Sequence, residues 1–185
     1  MVCIALAAAA LSSAPFAHHS ISMVDIGKPE WVKGMVTEFR FQHPHVMFTL
    51  AAQDADGGAR MMQVEGPNLA RMARMGAGAD FLKTGDVIEA CGFHLKQPWY
   101  KPDFIHAQVL VFADGHMRHY GPYGKLENCL RPGDSAQKWV QFLHEDPLAM
   151  PAWCLSHRYV SVPSVAPPGL VEEIDRRLGN PCPRT

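Results

Sequence analysis

Trp31-Val32-Lys33-Gly34-Met35-Val36-Thr37-Glu38-Phe39-Arg40-Phe41-Gln42-His43-Pro44-His45-Val46-Met47-Phe48-Thr49-Leu50 is the stretch that decides the fold class. Met35, Thr37, Phe39 and Phe41 recur with a period of two, as do Val46, Phe48 and Leu50, which is the spacing of strands with one buried face. Between the two runs lies Gln42-His43-Pro44-His45. Proline cannot donate to a strand ladder, so this segment is expected to bend.

Working outward, Gln53-Asp54-Ala55-Asp56-Gly57-Gly58 has hairpin-turn composition and leads into a third strand, Ala59 to Glu65. Pro67-Asn68 then opens a short helix carrying Leu69, Met72, Ala73 and Met75, closed by Gly76. A fourth strand is predicted over Val87 to His94 after the turn Lys83-Thr84-Gly85-Asp86, and a fifth over Phe104 to Phe112. Three strands, a short helix and two strands are the element order of a small five-stranded OB-like antiparallel barrel, giving a mainly β fold. Beyond it lies a helical and extended appendage, with amphipathic helices predicted over Ser135 to Glu145 and Pro168 to Leu178. The proline- and serine-rich stretch Asp146 to Pro167 is expected to wrap the barrel as extended chain.

In front of the barrel, Val2 to Ala17 carries no charge and ends in Ser12-Ser13-Ala14-Pro15-Phe16-Ala17. That is the apolar core and small-residue cleavage region of an export leader, too short and too alanine-rich to read as a membrane span. The basic residues that usually begin a leader are missing. Cleavage after Ala17 is preferred to cleavage after Ala14. The expected organisation is a signal peptide over 1–17, a barrel domain over 18–120 and a cysteine-containing extension over 121–185. The expected location is periplasmic or secreted, with no membrane insertion once the leader is gone.

Losing Cys3 with the leader leaves Cys91, Cys129, Cys154 and Cys182, an even number for an oxidising compartment. Four cysteines allow three pairings. A local staple from Cys129 to Cys154 is the preferred pair, with Cys91 either bridged or buried as a free thiol.

Basic and acidic residues number 17 and 18 without long blocks, so no electrostatic footprint for nucleic acid is present. With 48% apolar and 19% charged residues the chain is globular rather than disordered. Histidine and methionine, at 10 each, are the prominent counts, and both bind soft or borderline metals.

Cleavage after Ala17 would free an α-amine on His18 beside that residue's own imidazole, a chelate suited to Cu(II). His19 is adjacent, and His43 and His45 flank Pro44, which holds His43 extended. These four histidines form the expected metal set, for copper first and zinc second. Met23, Met35, Met47, Met61 and Met62 are read mainly as packing residues, though converging thioethers would favour Cu(I). His116 and His119 would face one side only on a helix. His94, His106, His144 and His157 are read as structural. Hydrolase, zinc-protease, thioredoxin and phosphate-loop signatures are absent.

Ala17-His18-His19-Ser20, Gly34-Met35-Val36 and Pro44-His45 resemble a family of small secreted bacterial proteins grouped as a domain of unknown function, whose mature chains start Ala-His-His-Ser and continue with a Gly-X-Val strand and an Asn-Pro-His bend. Val64-Glu65-Gly66, Leu82-Lys83-Thr84-Gly85-Asp86 and Ala113-Asp114-Gly115 extend the resemblance to residues 17–116. His43 stands where the family usually has Asn. The resemblance implies export, the barrel and the paired histidines, and no established activity. The leading expectation is therefore a metal-binding or metal-handling protein with no turnover required. The alternative is an interaction module for a small ligand or a protein, contacting its partner through Trp99 and Tyr100 in the loop Gln97 to Asp103. A copper redox enzyme ranks third.

Overall fold

The computed structural model describes residues 23–53, 56–121, 125–156, 163–179 and 181–182. The predicted leader, His18 and His19 lie outside them. Six strands form the sheet: β1 (Val24–Arg40), β2 (Met47–Gln53), β3 (Ala59–Glu65), β4 (Val87–Leu95), β5 (Phe104–Phe112) and β6 (Met117–His119). Their order is β3-β2-β1-β4-β5-β6, and a parallel pairing of β3 with β5 closes it into an OB-like ring. Closure removes most of the open strand edge. The short helix α1 (Leu69–Arg74) follows β3, and the Asn68 side chain accepts from the Arg71 backbone N–H at its start.

The barrel interior is filled by Val36, Phe48, Leu50, Met62, Val64, Ile88, Ala90, Ile105 and Leu110, with Met72 of α1, Leu82 and Tyr120 packed among them. Strict alternation put Met35 on the buried face of the first strand, but Met35 is 46% exposed and Val36 is buried. The reason is a bulge. Val36 pairs with Leu50 and Glu38 with Thr49, so Thr37 is an extra residue that resets the phase, and Phe39 and Phe41 then pack on the core. β1 also starts well before Trp31, through Asp25, Gly27 and Pro29, which carry no strand signal; its register against β4 slips between Val24 and Pro29.

The C-terminal segment is a second layer, built from α2 (Ala136–Glu145), α3 (Ala149–Ser156) and α4 (Leu170–Leu178). Cys91, Val109 and Val111, on the outer face of the barrel, share a second core with Trp139, Phe142, Leu143, Trp153 and Ile174. Burying each tryptophan contributes roughly 4–6 kcal/mol of apolar transfer, before entropy, at the usual area scale. Helix α3 corrects the extended reading of 146–167: Pro151 falls in its first turn, where a missing N–H leaves no intrahelical bond unmade.

Cys91 bonds Cys129, and Cys154 bonds Cys182. The preferred Cys129–Cys154 staple is therefore wrong, and Cys91 is not a free thiol. The error has a physical cause: Cys91 lies on the outer face of β4, against the segment that carries Cys129, a proximity that spacing along the chain does not reveal.

A buried polar latch joins the two layers. Asp146 accepts from the backbone N–H groups of His119 and Leu148, both at 2.9 Å, and pairs with Arg118 Nε at 3.2 Å. Arg118 also donates to the Met75 carbonyl, and Arg71 donates to His119 Nδ1 at 2.8 Å. Burial, then the neighbouring Arg71 cation, holds the His119 imidazole down to about 3. The unfolded ring titrates near ~6.5, so between these values only the unfolded chain binds the proton, and stability present at neutral pH is lost as pH falls. We expect the unfolding free energy to drop by about 1.4 kcal/mol per pH unit from this group below ~6.5. Urea unfolding of wild type and His119→Gln at pH 7 and pH 5 checks it; equal pH sensitivity in the two proteins would refute the assignment.

Candidate functional site

The bend between β1 and β2 is tied to the end of β3 by two backbone bonds, Gly66 N–H to the Val46 carbonyl at 2.8 Å and Val46 N–H to the Pro67 carbonyl at 3.0 Å. The His43–Pro44 peptide is cis. These ties bring His45 beside Glu65, and His45 Nδ1 makes a short contact with the Glu65 carboxylate. Glu65 pairs in register with His106 of β5, whose Nδ1 lies 3.7 Å from the same Glu65 Oε1. Side-chain exposures of 17%, 16% and 7% for His45, Glu65 and His106 make this a largely desolvated set. The Phe104 ring stands edge-on to His106, and Tyr120 fills the space that a Cβ on Gly66 would need.

A carboxylate that accepts from Nδ1–H fixes an imidazole's tautomer and leaves the lone pair on Nε2, the arrangement seen behind metal-ligating histidines. Glu65 is placed to do this for His45, and its carboxylate lies near the His106 ring without bonding to it. Of the predicted set, His45 is therefore in a built environment, His43 is exposed beyond the proline, and His18 and His19 lie outside the described residues. His116 is exposed and His119 buried in the latch, so that pair does not converge. Among the described residues, no group of three or more His, Cys, Asp or Glu side chains is arranged to hold a metal ion.

His106 and Glu65 were not legible as partners. Their meeting depends on the parallel β3–β5 closure, which leaves no mark in either strand's sequence. A second set, also unforeseen, holds the aromatic loop: Arg60 reaches Glu30 at 2.7 Å, Asp103 at 3.0 Å and the Pro102 carbonyl, while His94 contacts Glu30. That loop contains a cis Gln97–Pro98 peptide and presents Trp99 and Tyr100, 48% and 45% exposed, with Tyr100 against the His94 ring at 5.1 Å. Arg60 also lines an open groove of about 940 Å³ with Glu30, Lys33, Met35 and Val87.

Fold and site together define a closed OB-like barrel with a disulfide-stapled helical layer and a histidine–carboxylate set at the β3–β5 seam. The chain belongs to the family of unknown function DUF6152, whose model matches residues 5–99. That span takes in His18, His19, His45 and Glu65 and stops short of His106. Among solved structures the chain is similar to the mitochondrial single-stranded DNA-binding protein Rim1 of S. cerevisiae, at 10% identity and a TM-score of 0.35, over 46% of this chain and 93% of that one. No curated protein matches the sequence.

Proposed function

We propose that this protein is exported and binds a transition-metal ion, copper before zinc, through His18 and His19 together with His45. The observation that carries the proposal is the Glu65 carboxylate on His45 Nδ1, which orders that ring in advance and so lowers the cost of binding. Strand register supports a shared site. Val24 lies opposite Leu95, and two residues before Leu95 on β4, Phe93 lies opposite His106. Glu65 lies one strand further on, opposite His106, so three interstrand spacings and the two-residue offset along β4 amount to about 16 Å across the sheet, and from Met23 back to His18 the chain can span roughly 17 Å. Export is supported by the leader composition and by two disulfides, which persist in oxidising compartments.

The test is to produce the full chain with its leader, determine the first residue of the processed protein by intact mass, and measure Cu(II) and Zn(II) uptake. The expected result is a chain beginning at His18 with stoichiometric metal. His18→Ala and His45→Ala should each weaken binding by more than about 10-fold, since losing even a group that only orients a ligand costs roughly 10–100-fold. A correctly processed, folded protein that takes up neither ion sinks the proposal. It would favour the second reading, an interaction module, for which the pinned loop with exposed Trp99 and Tyr100 beside the groove is the supporting observation.

A further inference from the structure

His94, at the foot of the aromatic loop, has an acceptor at each of its ring nitrogens. Nδ1 faces the Lys101 carbonyl at 3.3 Å, and Nε2 contacts a Glu30 carboxylate oxygen. A carbonyl and a carboxylate offer only lone pairs, so serving both at once takes an N–H on each nitrogen, which is the imidazolium. Glu30 accepts from Arg60 on its other oxygen at 2.7 Å. Charge balances in that state, with Arg60 and a protonated His94 answering Glu30 and Asp103. The other charged side chains on the flanking segments are the exposed Lys96 and Lys101 of the loop and, further along β1, the Lys28–Asp25 pair at 3.7 Å.

Apolar burial does not fix this loop, because every residue from Lys96 to Asp103 is exposed. Its position depends on polar ties. One end is held by the Lys96 N–H on the Met23 carbonyl; the other by Arg60 on Asp103 and the Pro102 carbonyl, and by the Gln63 N–H on the Asp103 carbonyl. Between the ends, the Trp99 N–H bonds within the loop to the Lys96 carbonyl, while His94 ties the middle to the barrel through Lys101 and the Tyr100 ring. A neutral imidazole has a single N–H. It keeps the charge-assisted bond to Glu30, and the bare Nδ1 lone pair then faces the Lys101 oxygen, turning a bond into a repulsion.

We infer that His94 is a proton-operated clasp for the aromatic loop: the imidazolium holds Tyr100 and Lys101 against the barrel, and loss of its Nδ1 proton releases them together with Trp99. The clasp is independent of the metal reading. It makes any contact through Trp99 and Tyr100 depend on pH in the range where histidine changes charge. The experiment is nuclear magnetic resonance of the folded, disulfide-bonded chain from about pH 5 to 8. Proton–nitrogen correlations of the imidazoles, assigned with His94→Leu, read the protons on each ring nitrogen, and backbone order parameters read the loop. With His94 doubly protonated, the Tyr100 and Lys101 amides should be as ordered as a rigid backbone, about 0.85, and should fall below about 0.6 in step with loss of the proton. His94→Leu, which has no donor, should leave the loop mobile at every pH. His119→Gln, which alters the buried latch, should keep the wild-type transition. If His94→Leu fails to fold, the coincidence of loop and ring transitions in wild type still decides. Loop order that does not follow the protonation of His94, or an unchanged transition in His94→Leu, overturns the inference.

Discussion

Converting Cys91 and Cys129 together to alanine is expected to lower the unfolding free energy by about 4 kcal/mol, the chain-entropy value for a loop of this size. The two residues are 38 apart in sequence, and the bridge joins β4 of the barrel to the segment leading into the helical layer. Both cysteines are fully buried in the second core, so removing their sulfurs also leaves space beside Val109 and Trp139 that packing does not readily refill. The Cys154–Cys182 bridge closes a loop of similar length, 28 residues apart, but its cysteines are only half-buried and it ties α3 to the chain after α4. Its loss should loosen α4 without detaching the layer. Guanidinium unfolding of the two double mutants separates the cases: the Cys91/Cys129 variant should lose stability and cooperativity, the Cys154/Cys182 variant less. A loss below about 1 kcal/mol for the first, well under the usual range for a native disulfide, would mean that apolar contact alone docks the helices.

Asp146→Ala is the second large effect, expected at about 3–5 kcal/mol, the cost of breaking a buried ion pair from one side. Asp146 is 3% exposed, accepts from two backbone N–H groups and forms an ion pair with the Arg118 guanidinium. Truncation would leave both amides desolvated with nothing to accept from them, and the Arg118 cation with only its bond to the Met75 carbonyl. Asp146→Asn keeps the shape and one carbonyl acceptor, so it should cost less. Because the carboxylate links β6 to the start of α3, near-ultraviolet circular dichroism from the buried Trp139 and Trp153 should weaken with the loss of stability. Unchanged aromatic signal in a destabilised Asp146→Ala protein would place the damage elsewhere.

Most of the barrel could be read from residue order. β3 and β5 were predicted to their observed ends, α1 was foreseen from Pro67-Asn68 and Gly76, and α2 and α4 from their apolar spacing. What escaped was non-periodic. The first residues of β1 run through Asp25, Gly27 and Pro29 because pairing with β4 on either side of them, at Val24 and from Pro29 onward, overrides their weak strand tendency. Strand β6 is only three residues long, too short for any period to register. The bulge at Thr37 reversed which residues of β1 face inward, and no local composition signals it. At the site, His45 stood out through its neighbouring proline. His106 looked like an isolated histidine in an apolar strand, because its partner Glu65 is remote in the chain.

Alternation of apolar and polar residues is a short-range property, so it was enough by itself to specify an antiparallel barrel, its turns and the amphipathic helices that follow. Which side chains meet across the closing seam, which cysteines join and which carboxylate secures the helical layer are matters of distance in three dimensions. Only the folded chain decided them, since strand closure and layer packing bring together residues between which the linear order carries no periodic relation.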